Sequence, residues 1–242
     1  MRVALISDIH GNQIALRAVL ADIARLRVDE IVCLGDVATL GPRPRAVIEI
    51  LRESGCACIM GNHDEFLVDP TLLRTYSEQR EVIDAVEWCR SELCADDLEF
   101  VRGFERTREI RLADRATLLL FHGSPRSHMD DLLETTAPAA LDHFLAGERA
   151  TVMAGGHTHV QMLRQHRGTL LVNPGSVGLP FKEYVAGRAP TVLAHAEYAT
   201  IEAADGGISV SLRRVPLDRD SLRAAAAASH IPLRDALVQQ YS

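Results

Sequence analysis

The stretch "RVALISDIHGN" (residues 2–12) carries the strongest indication of fold class in this chain. Its first six residues are almost all apolar, which is typical of a short strand buried on both faces of a sheet. Residues 12–27 have apolar side chains at helical spacing and predict an amphipathic helix. Two further strands, at 30–35 and 56–60, alternate with a helix at 44–54 that opens on a proline. This β-α-β-α-β order predicts parallel strands joined by right-handed crossovers.

The rest of the chain is predicted to contain a helical segment followed by a region rich in strands. Residues 66–105 are polar with helical spacing, and we interpret them as a helical insert on the β-α-β core, either a lid or a packing element. Short spacing predicts antiparallel hairpins among strands at 108–113, 116–121, 150–155, 160–166, 169–174, 191–198 and 207–215. Helices are predicted at 137–147, 221–230 and 231–241. No convincing linker divides the chain, so we expect residues 1–242 to form a single domain.

Composition and charge restrict the class of protein. The 242 residues are 47% apolar, which is enough for a hydrophobic core and excludes a disordered or fibrous chain. The net charge of −7 disfavours a protein that binds nucleic acid through an extended surface, although a local cationic centre could still bind phosphate. Five cysteines without a C-x-x-C pair indicate reduced thiols. With neither a signal peptide nor a membrane span predicted, we expect a cytoplasmic protein.

Five segments place an Asp, His or Asn where an apolar run ends. They are "SDIHGN" (7–12), "GD" (35–36), "GNHD" (61–64), "FHG" (121–123) and "GHTH" (156–159). Ligands bind at the carboxyl ends of the strands in an open α/β sheet, so the sheet would bring these segments together. In the first and last segments, the two-residue spacing predicts side chains on one side of an extended backbone.

These side chains have the composition of a metal site. Carboxylate, imidazole and amide oxygen are ligands of borderline divalent metals. Seven candidates exceed the three or four protein ligands of one zinc ion, and they suit two ions that share a carboxylate. Asp36, on the central segment, is the expected bridge. The predicted ligands are Asp8, His10, Asp36, Asn62, His122, His157 and His159.

Each of these residues has an ordinary structural interpretation when it is taken alone. Asp8 would be a helix cap, Asn62 a turn former, and His122 a buried histidine with a hydrogen-bond partner. The presence of all five segments in this order favours the metal site.

The ordered series D-x-H, G-D, G-N-H-D, H-G and G-H-x-H resembles the calcineurin-like metallophosphoesterase superfamily. The chain is similar to its small bacterial and archaeal phosphodiesterase branch, which has close counterparts of "GDVATLGPRPRAVIEIL", "LFHGSPRSHMDDLL" and "VNPGSVGLP". The similarity runs from residue 2 to about residue 180. It implies an α/β fold, a four-layer α-β-β-α sandwich of two mixed β-sheets flanked by helices.

The resemblance also implies that the ligands are divided between two divalent ions, whether Mn, Zn, Fe, Ni or Co. One ion would be held by Asp8, His10, Asp36 and His159, and the other by Asp36, Asn62, His122 and His157. His63 would face the substrate phosphate instead of binding metal. Leu40, where the branch often has an aromatic residue, and the pair Arg43 and Arg45 depart from the branch and leave the substrate preference open.

The implied activity is hydrolysis of a small phosphodiester or nucleotide by a hydroxide held between two metal ions. His63, held by Asp64 or another carboxylate, would protonate the leaving oxygen or stabilise the transition state, while Asp36 serves catalysis as the bridge. The candidate substrate-binding residues are His63, Asn62 and Arg126. Arg126 could equally be a solvated loop arginine, and His128 beside it is a weaker candidate.

Two other functions remain open for a chain of this kind. One is a phosphomonoesterase, including one that acts on phosphoprotein, although the serine/threonine phosphatase branch is longer and differs after its motifs. The other is a non-catalytic protein-binding scaffold such as the retromer scaffold subunit, which lacks a complete site, whereas this chain keeps His63 and all seven ligands. The apolar carboxyl-terminal region is a candidate interface for a homo-oligomer.

Overall fold

Ten strands and nine helices form in the residues that the computed structural model describes, which are 1–76, 78–185, 190–204 and 206–241. The strands are β1 (Arg2–Ile6), β2 (Glu30–Cys33), β3 (Ala57–Cys58), β4 (Arg108–Ala113), β5 (Ala116–Leu120), β6 (Val152–Ala154), β7 (Met162–His166), β8 (Thr169–Asn173), β9 (His195–Ala204) and β10 (Gly207–Pro216). The helices are α1 (Gln13–Ile23), α2 (Pro44–Glu53), α3 (Asn62–Val68), α4 (Leu73–Tyr76), α5 (Arg80–Ser91), α6 (Ala95–Arg102), α7 (Pro138–Phe144), α8 (Arg219–Ala227) and α9 (Arg234–Gln240).

The strands form two mixed five-stranded sheets. The first has the order β10-β9-β1-β2-β3, in which β1, β2 and β3 are parallel, as the sequence predicts, and β9 is antiparallel to both of its neighbours. The second has the order β4-β5-β6-β8-β7, with a parallel centre and antiparallel strands at both edges.

Strand β1 shows how the layers of the molecule are held together. Four consecutive residues of this strand are fully buried, because it has apolar neighbours on both faces. Val3 and Leu5 pack with Leu118 and other residues of the second sheet, while Ala4 and Ile6 pack against α1 and α2. Successive side chains of a strand point to opposite faces, so one short run supplies two interfaces.

The far face of the second sheet is covered by α7, whose buried Leu141 packs in a cluster with Met153 of β6. Helices therefore lie outside both sheets. This arrangement confirms the predicted four-layer α-β-β-α sandwich.

Antiparallel hairpins form as predicted at β4–β5, β7–β8 and β9–β10. Two details differ from the prediction. Strands β5, β6 and β8 are parallel to one another. The connection from β5 to β6 contains α7 and is long enough for a crossover, and β7 goes to the edge before β8 returns beside β6. The strand predicted at 191–198 instead runs from His195 to Ala204, because its later half pairs with both β1 and β10.

The segment 66–105 is helical as predicted, apart from position 77, which lies outside the described residues. Helix α5 buries Ala85 and Cys89 in a cluster with α8 and α9. Leu73 and Val86 pack with Phe66 in a second small cluster. The segment is thus anchored to the rest of the fold, and its opening as a lid remains a prediction. Every helix in the described part of the chain is too short or too polar to cross a membrane.

Candidate active site

The seven predicted ligands converge at the carboxyl ends of strands from both sheets. They follow β1, β2, β5 and β6, and Asn62 opens α3 just beyond β3. The parallel direction of β1, β2 and β3 in one sheet, and of β5 and β6 in the other, brings these ends to one edge of the sandwich. Six of the seven side chains are buried, and His157 is partly exposed.

Their donor atoms form two groups. In each group, one ligand atom from each of three residues lies within 4.8 Å of the other two. The first group is Asp8, His10 and His159, and the second group is Asp36, His122 and His157. Asn62 joins the second group, since its Oδ1 lies 3.1 Å from His122 Nε2 and 3.0 Å from His157 Nδ1.

Asp36 lies between the two groups. Its Oδ2 is 3.4 Å from His122 Nε2 in the second group and 3.8 Å from His10 Nε2 in the first. One oxygen therefore faces imidazoles of both groups, which is the position that a bridging carboxylate requires.

Contacts on the outer side of the imidazoles determine which nitrogen faces inward. His122 Nδ1 donates to the backbone oxygen of Leu34 at 2.7 Å, and His159 Nδ1 donates to that of Leu179 at 2.8 Å. An imidazole whose Nδ1–H donates outward presents Nε2 to the site, and once the ring is neutral this nitrogen offers the lone pair that a metal ion binds.

The two carboxylates are oriented by backbone N–H groups. His63 N donates to Asp36 Oδ1 at 2.9 Å, and His157 N donates to Asp8 Oδ2 at 3.1 Å, which leaves the other oxygen of each aspartate facing the imidazoles. Glycines make this close approach possible. A Cβ at Gly61 would lie 2.2 Å from Asp36 Oδ1, and a Cβ at Gly156 would lie 2.5 Å from Asp8 Oδ2.

The backbone of the site differs from the extended conformation that the spacing predicts. Five ligands have left-handed φ angles: Asp8 (53°), His10 (47°), Asp36 (58°), His157 (68°) and His159 (57°). These residues lie in tight loops after the strands, where strand alternation no longer applies. Non-glycine residues adopt this region at a cost of about 1 kcal/mol or more each, and such strain is concentrated at functional sites.

Burial and mutual charge set the pKa values of the site. Burial, reinforced by His159, lowers the pKa of His10 to about 3. At His122 burial acts against protonation, but the charges of Asp36 and Asp8 outweigh it and raise the pKa to about 10. Burial likewise opposes ionisation of Asp36, yet His122 and His63 hold its pKa well below the usual range. In the metal-free protein, protonated His122 therefore supplies the positive charge that favours ionisation of these buried carboxylates.

Within the described parts of the chain, three buried polar atoms of the site have no hydrogen-bond partner: Asp8 Oδ1, Asn62 Nδ2 and His63 Nδ1. A buried polar atom without a partner typically costs about 1–3 kcal/mol. Carboxylate oxygens, an amide oxygen and inward-facing imidazole nitrogens are together a suitable donor set for a borderline divalent metal. The residues present therefore fit the metal cofactor that the sequence predicts.

A cleft of about 330 Å³ opens over these groups. Apolar and aromatic side chains also line the cleft, and Phe181 stacks on the ring of His159 with centroids 4.2 Å apart. Tyr76, Leu179 and Tyr184 belong to the same lining. Among the described residues that line the cleft there is no Arg or Lys.

His63 also lines the cleft, but it is not held by Asp64 as the sequence suggested. Asp64 accepts hydrogen bonds from the backbone N–H groups of Asp36, Val37 and Gly61 instead. Asp64 thus fixes the loop that carries Asp36. The His63 ring is packed edge-on by its neighbours, including Tyr76, at a centroid distance of 5.6 Å.

The described lining of the cleft does not include the candidate Arg126, nor Arg43 and Arg45, which depart from the branch. Arg126 contacts Asp130 and His143. Arg43 and Arg45 line a separate cavity of about 280 Å³ at the start of α2. His128 pairs with Glu65 of α3 at 2.9 Å. The substrate role of Arg126 remains a prediction without a supporting contact.

Three residues of the site were missed from the sequence. Asp131 Oδ1 lies 3.4 Å from His157 Nε2, and Tyr76 and Tyr184 line the cleft. Asp131 follows the "HG" motif in a polar loop, where an aspartate is ordinary. The tyrosines stand apart from every metal-binding segment, so no spacing rule identifies them.

Comparisons with known proteins agree with this architecture. An uncharacterized protein of Methanocaldococcus jannaschii is 28% identical over 194 residues, which are 74% of this chain and 76% of that one. The structure of a metallophosphoesterase from Sphaerobacter thermophilus is 26% identical, with a TM-score of 0.75 over 100% of this chain and 98% of that one. A hypothetical protein from Pyrococcus horikoshii OT3, 18% identical, shares the fold with a TM-score of 0.82 over 98% and 96% of the two chains.

The model of the calcineurin-like phosphoesterase superfamily domain matches residues 1–197, a range that contains all the predicted ligands, His63 and the cleft residues described above. The match, the two-sheet sandwich and the metal-ligand groups are consistent with one another. This chain belongs to the calcineurin-like phosphoesterase superfamily.

Proposed function

We propose that this protein is a two-metal phosphodiesterase that hydrolyses a small phosphodiester, such as a nucleotide diester. The observation that carries the proposal is the position of Asp36 between two ligand groups, beneath a cleft that also contains His63. A pair of divalent ions, when bound, would lower the pKa of a water molecule and neutralise charge on the phosphoryl oxygens.

The ligand groups define which residues would hold which ion. The first group, with Asp36, would hold one ion, and the second group, with Asn62, would hold the other. Asn62 Oδ1 faces two imidazoles of the second group, which supports its role as a ligand. Mn, Zn, Fe, Ni and Co all accept this mixture of oxygen and nitrogen donors, so the metal is to be determined by experiment.

His63 is the proposed hydrogen-bond donor to the substrate. Burial lowers its pKa to about 4, with Asp36 acting in the opposite direction, so the imidazole is neutral near pH 7. Nearby metal cations would favour the neutral form further. His63 would therefore stabilise the charge that develops on the leaving oxygen through its N–H, a more limited role than that of a fully protonated acid.

The lining of the cleft supports a diester in preference to a monoester. A phosphate diester carries one negative charge near neutral pH, and a monoester carries nearly two. Among the described lining residues there is no Arg or Lys to balance the second charge. The aromatic side chains of the lining, including Tyr76 and Phe181, are suited to contact an apolar or aromatic ester group.

The experiment that tests this function compares bis(p-nitrophenyl) phosphate with p-nitrophenyl phosphate, with each candidate metal added in turn. We expect the diester to be hydrolysed at least about tenfold faster, a difference of about 1.4 kcal/mol in the barrier. Faster hydrolysis of the monoester would instead support a phosphomonoesterase. Hydrolysis of neither compound by protein with bound metal would contradict an enzymatic role and favour a scaffold.

A further inference from the structure

The outward nitrogen of His157 faces a carboxylate. Its Nε2 lies 3.4 Å from Asp131 Oδ1, while its Nδ1 faces the second group, 3.0 Å from Asn62 Oδ1. An imidazole that offers a lone pair at Nδ1 carries its proton on Nε2, where a carboxylate can accept it. At His122 and His159 the same role belongs to backbone carbonyls, which side-chain substitution does not remove.

Asp131 is fixed from its other side by Tyr184. Tyr184 Oη donates to Asp131 Oδ2 at 2.6 Å, so each oxygen of the carboxylate has its own partner. Asp131 lies in the loop between β5 and α7, and Tyr184 lies in the segment between β8 and β9. The series Tyr184, Asp131, His157 therefore connects the wall of the cleft with the second group.

Solvent exposure explains why His157 needs such a contact. Its side chain is 11% exposed and that of Asp131 is 42% exposed, whereas the His122 side chain is fully buried. Tight packing holds the ring of His122 in place, and a partly exposed ring has more rotational freedom. A charged partner on the outer nitrogen restricts both the rotation and the tautomer.

We infer that Asp131, itself held by Tyr184, is a positioning residue for the metal ion of the second group. It keeps the proton of His157 on Nε2 and thereby directs Nδ1 toward the metal. The inference rests on the two-metal function proposed above. Partners of this kind change metal affinity by about 10–100-fold in other metal sites.

Calorimetric titration of the metal-free protein with Mn²⁺ measures this role without relying on activity. We expect Asp131→Ala to weaken one of two binding steps by about 10–100-fold and to leave the other unchanged. Tyr184→Phe is expected to weaken the same step by a smaller factor. Asp131→Asn keeps an acceptor oxygen and nearly the same side-chain volume. Its affinity for Mn²⁺ at this step should therefore lie between those of Asp131→Ala and the wild type.

The neighbouring Asp130 offers a matched control. It accepts a hydrogen bond from Ser124 Oγ at 2.6 Å and does not line the cleft, so Asp130→Asn should leave both binding steps unchanged. NMR of zinc-loaded protein with ¹⁵N-labelled histidine supplies an independent signature. The Nε2–H resonance of His157 should be protected in the wild type and lost in Asp131→Ala.

The outcomes separate this inference from the function on which it rests. The positioning role would be overturned if Asp131→Ala bound Mn²⁺ with the same two affinities as the wild type. It would also be overturned if the substitution weakened both affinities by the same factor. A wild-type protein that binds one Mn²⁺ ion or none would overturn the two-metal function itself.

Discussion

Two clusters of histidine and aspartate in this molecule lead to opposite conclusions. On the surface, Asp142 accepts from His166 Nε2 at 2.8 Å and from two nitrogens of Arg167 at 2.7 Å each. In the cleft, Asp8 and Asp36 face several imidazoles, and buried atoms such as Asp8 Oδ1 find no hydrogen-bond partner in the part of the chain that the structure describes. The surface cluster is satisfied by its own arginine. The cleft has the same residue types without an arginine or lysine among its described lining residues, and this difference makes it the candidate metal site.

The largest effect is expected at Asp36, whose charge faces both ligand groups. Asp36→Asn removes this charge, so we expect metal binding and diester hydrolysis to be lost together. The loss of metal affinity should exceed the 10–100-fold that is typical when a hydrogen-bond partner of a ligand is removed. Metal analysis and turnover of bis(p-nitrophenyl) phosphate measure both effects. Asp142→Asn is the control and should retain metal and activity; retention of both by Asp36→Asn would refute the bridging role.

His63→Ala separates chemistry from metal binding. We expect the metal content to be unchanged and kcat to fall by about 10²–10⁴-fold, because the ring lines the cleft but belongs to neither ligand group. Steady-state kinetics and elemental analysis on the same preparation provide the measurement. His166→Ala, from the surface cluster, should leave kcat unchanged. Unchanged turnover in His63→Ala would eliminate the proposed donor.

Gly156→Ala tests the close packing of the backbone against the ligand Asp8. The added Cβ would lie 1.9 Å from Ser7 Oγ and 2.5 Å from Asp8 Oδ2, so the loop must shift. We expect a loss of about 1–3 kcal/mol in the free energy of unfolding, together with weaker metal binding. Chemical denaturation measures the first effect. Gly207→Ala is the control, since its nearest contact is 3.8 Å away; equal effects in the two variants would show that the cleft is not tightly built.

The pH dependence of metal binding should differ between the two ligand groups. Burial lowers the pKa of His122, but Asp36 and Asp8 outweigh this effect and raise it to about 10, whereas burial and His159 lower that of His10 to about 3. Between pH 7 and 10 the metal-free protein therefore holds a proton on His122, which metal must displace, and none on His10. In the metal-free fold, this protonated His122 contributes stability that is fully present below about pH 6.5 and is lost as the pH rises through about 10.

We accordingly expect affinity at the second group to rise by up to about tenfold per pH unit through this range, with release of about one proton per ion. Calorimetry at pH 8 in two buffers of different ionisation enthalpy measures the number of protons released. Binding at the second group without proton release would contradict the assigned charge of His122.

The order of short motifs predicted which side chains meet at the cleft, because each motif follows a strand and the sheets determine where strands end. The sequence did not predict the left-handed backbone of Asp8 and His157, since spacing rules assume regular strands. It also misassigned Asp64, whose hydrogen bonds go to backbone N–H groups that no sequence pattern reveals. Asp131 and Tyr184 were missed because their relation to the site depends on how two loops meet.

The parallel centre of the second sheet was missed for a different reason. The helix predicted at 137–147 lies between β5 and β6, and a connection of that length favours a crossover, but the short spacing of the other strands was extended to this pair. The first three strands were easier, because helices of clear periodicity separate them.

The number of metal ions bound per chain tests the central claim most directly. Elemental analysis of protein purified and then equilibrated with Mn²⁺ should give two ions per chain in the wild type, with both lost or sharply reduced in Asp36→Asn. A wild-type value of one ion or none, or a value of two that persists in Asp36→Asn, would contradict a paired metal site built around that carboxylate.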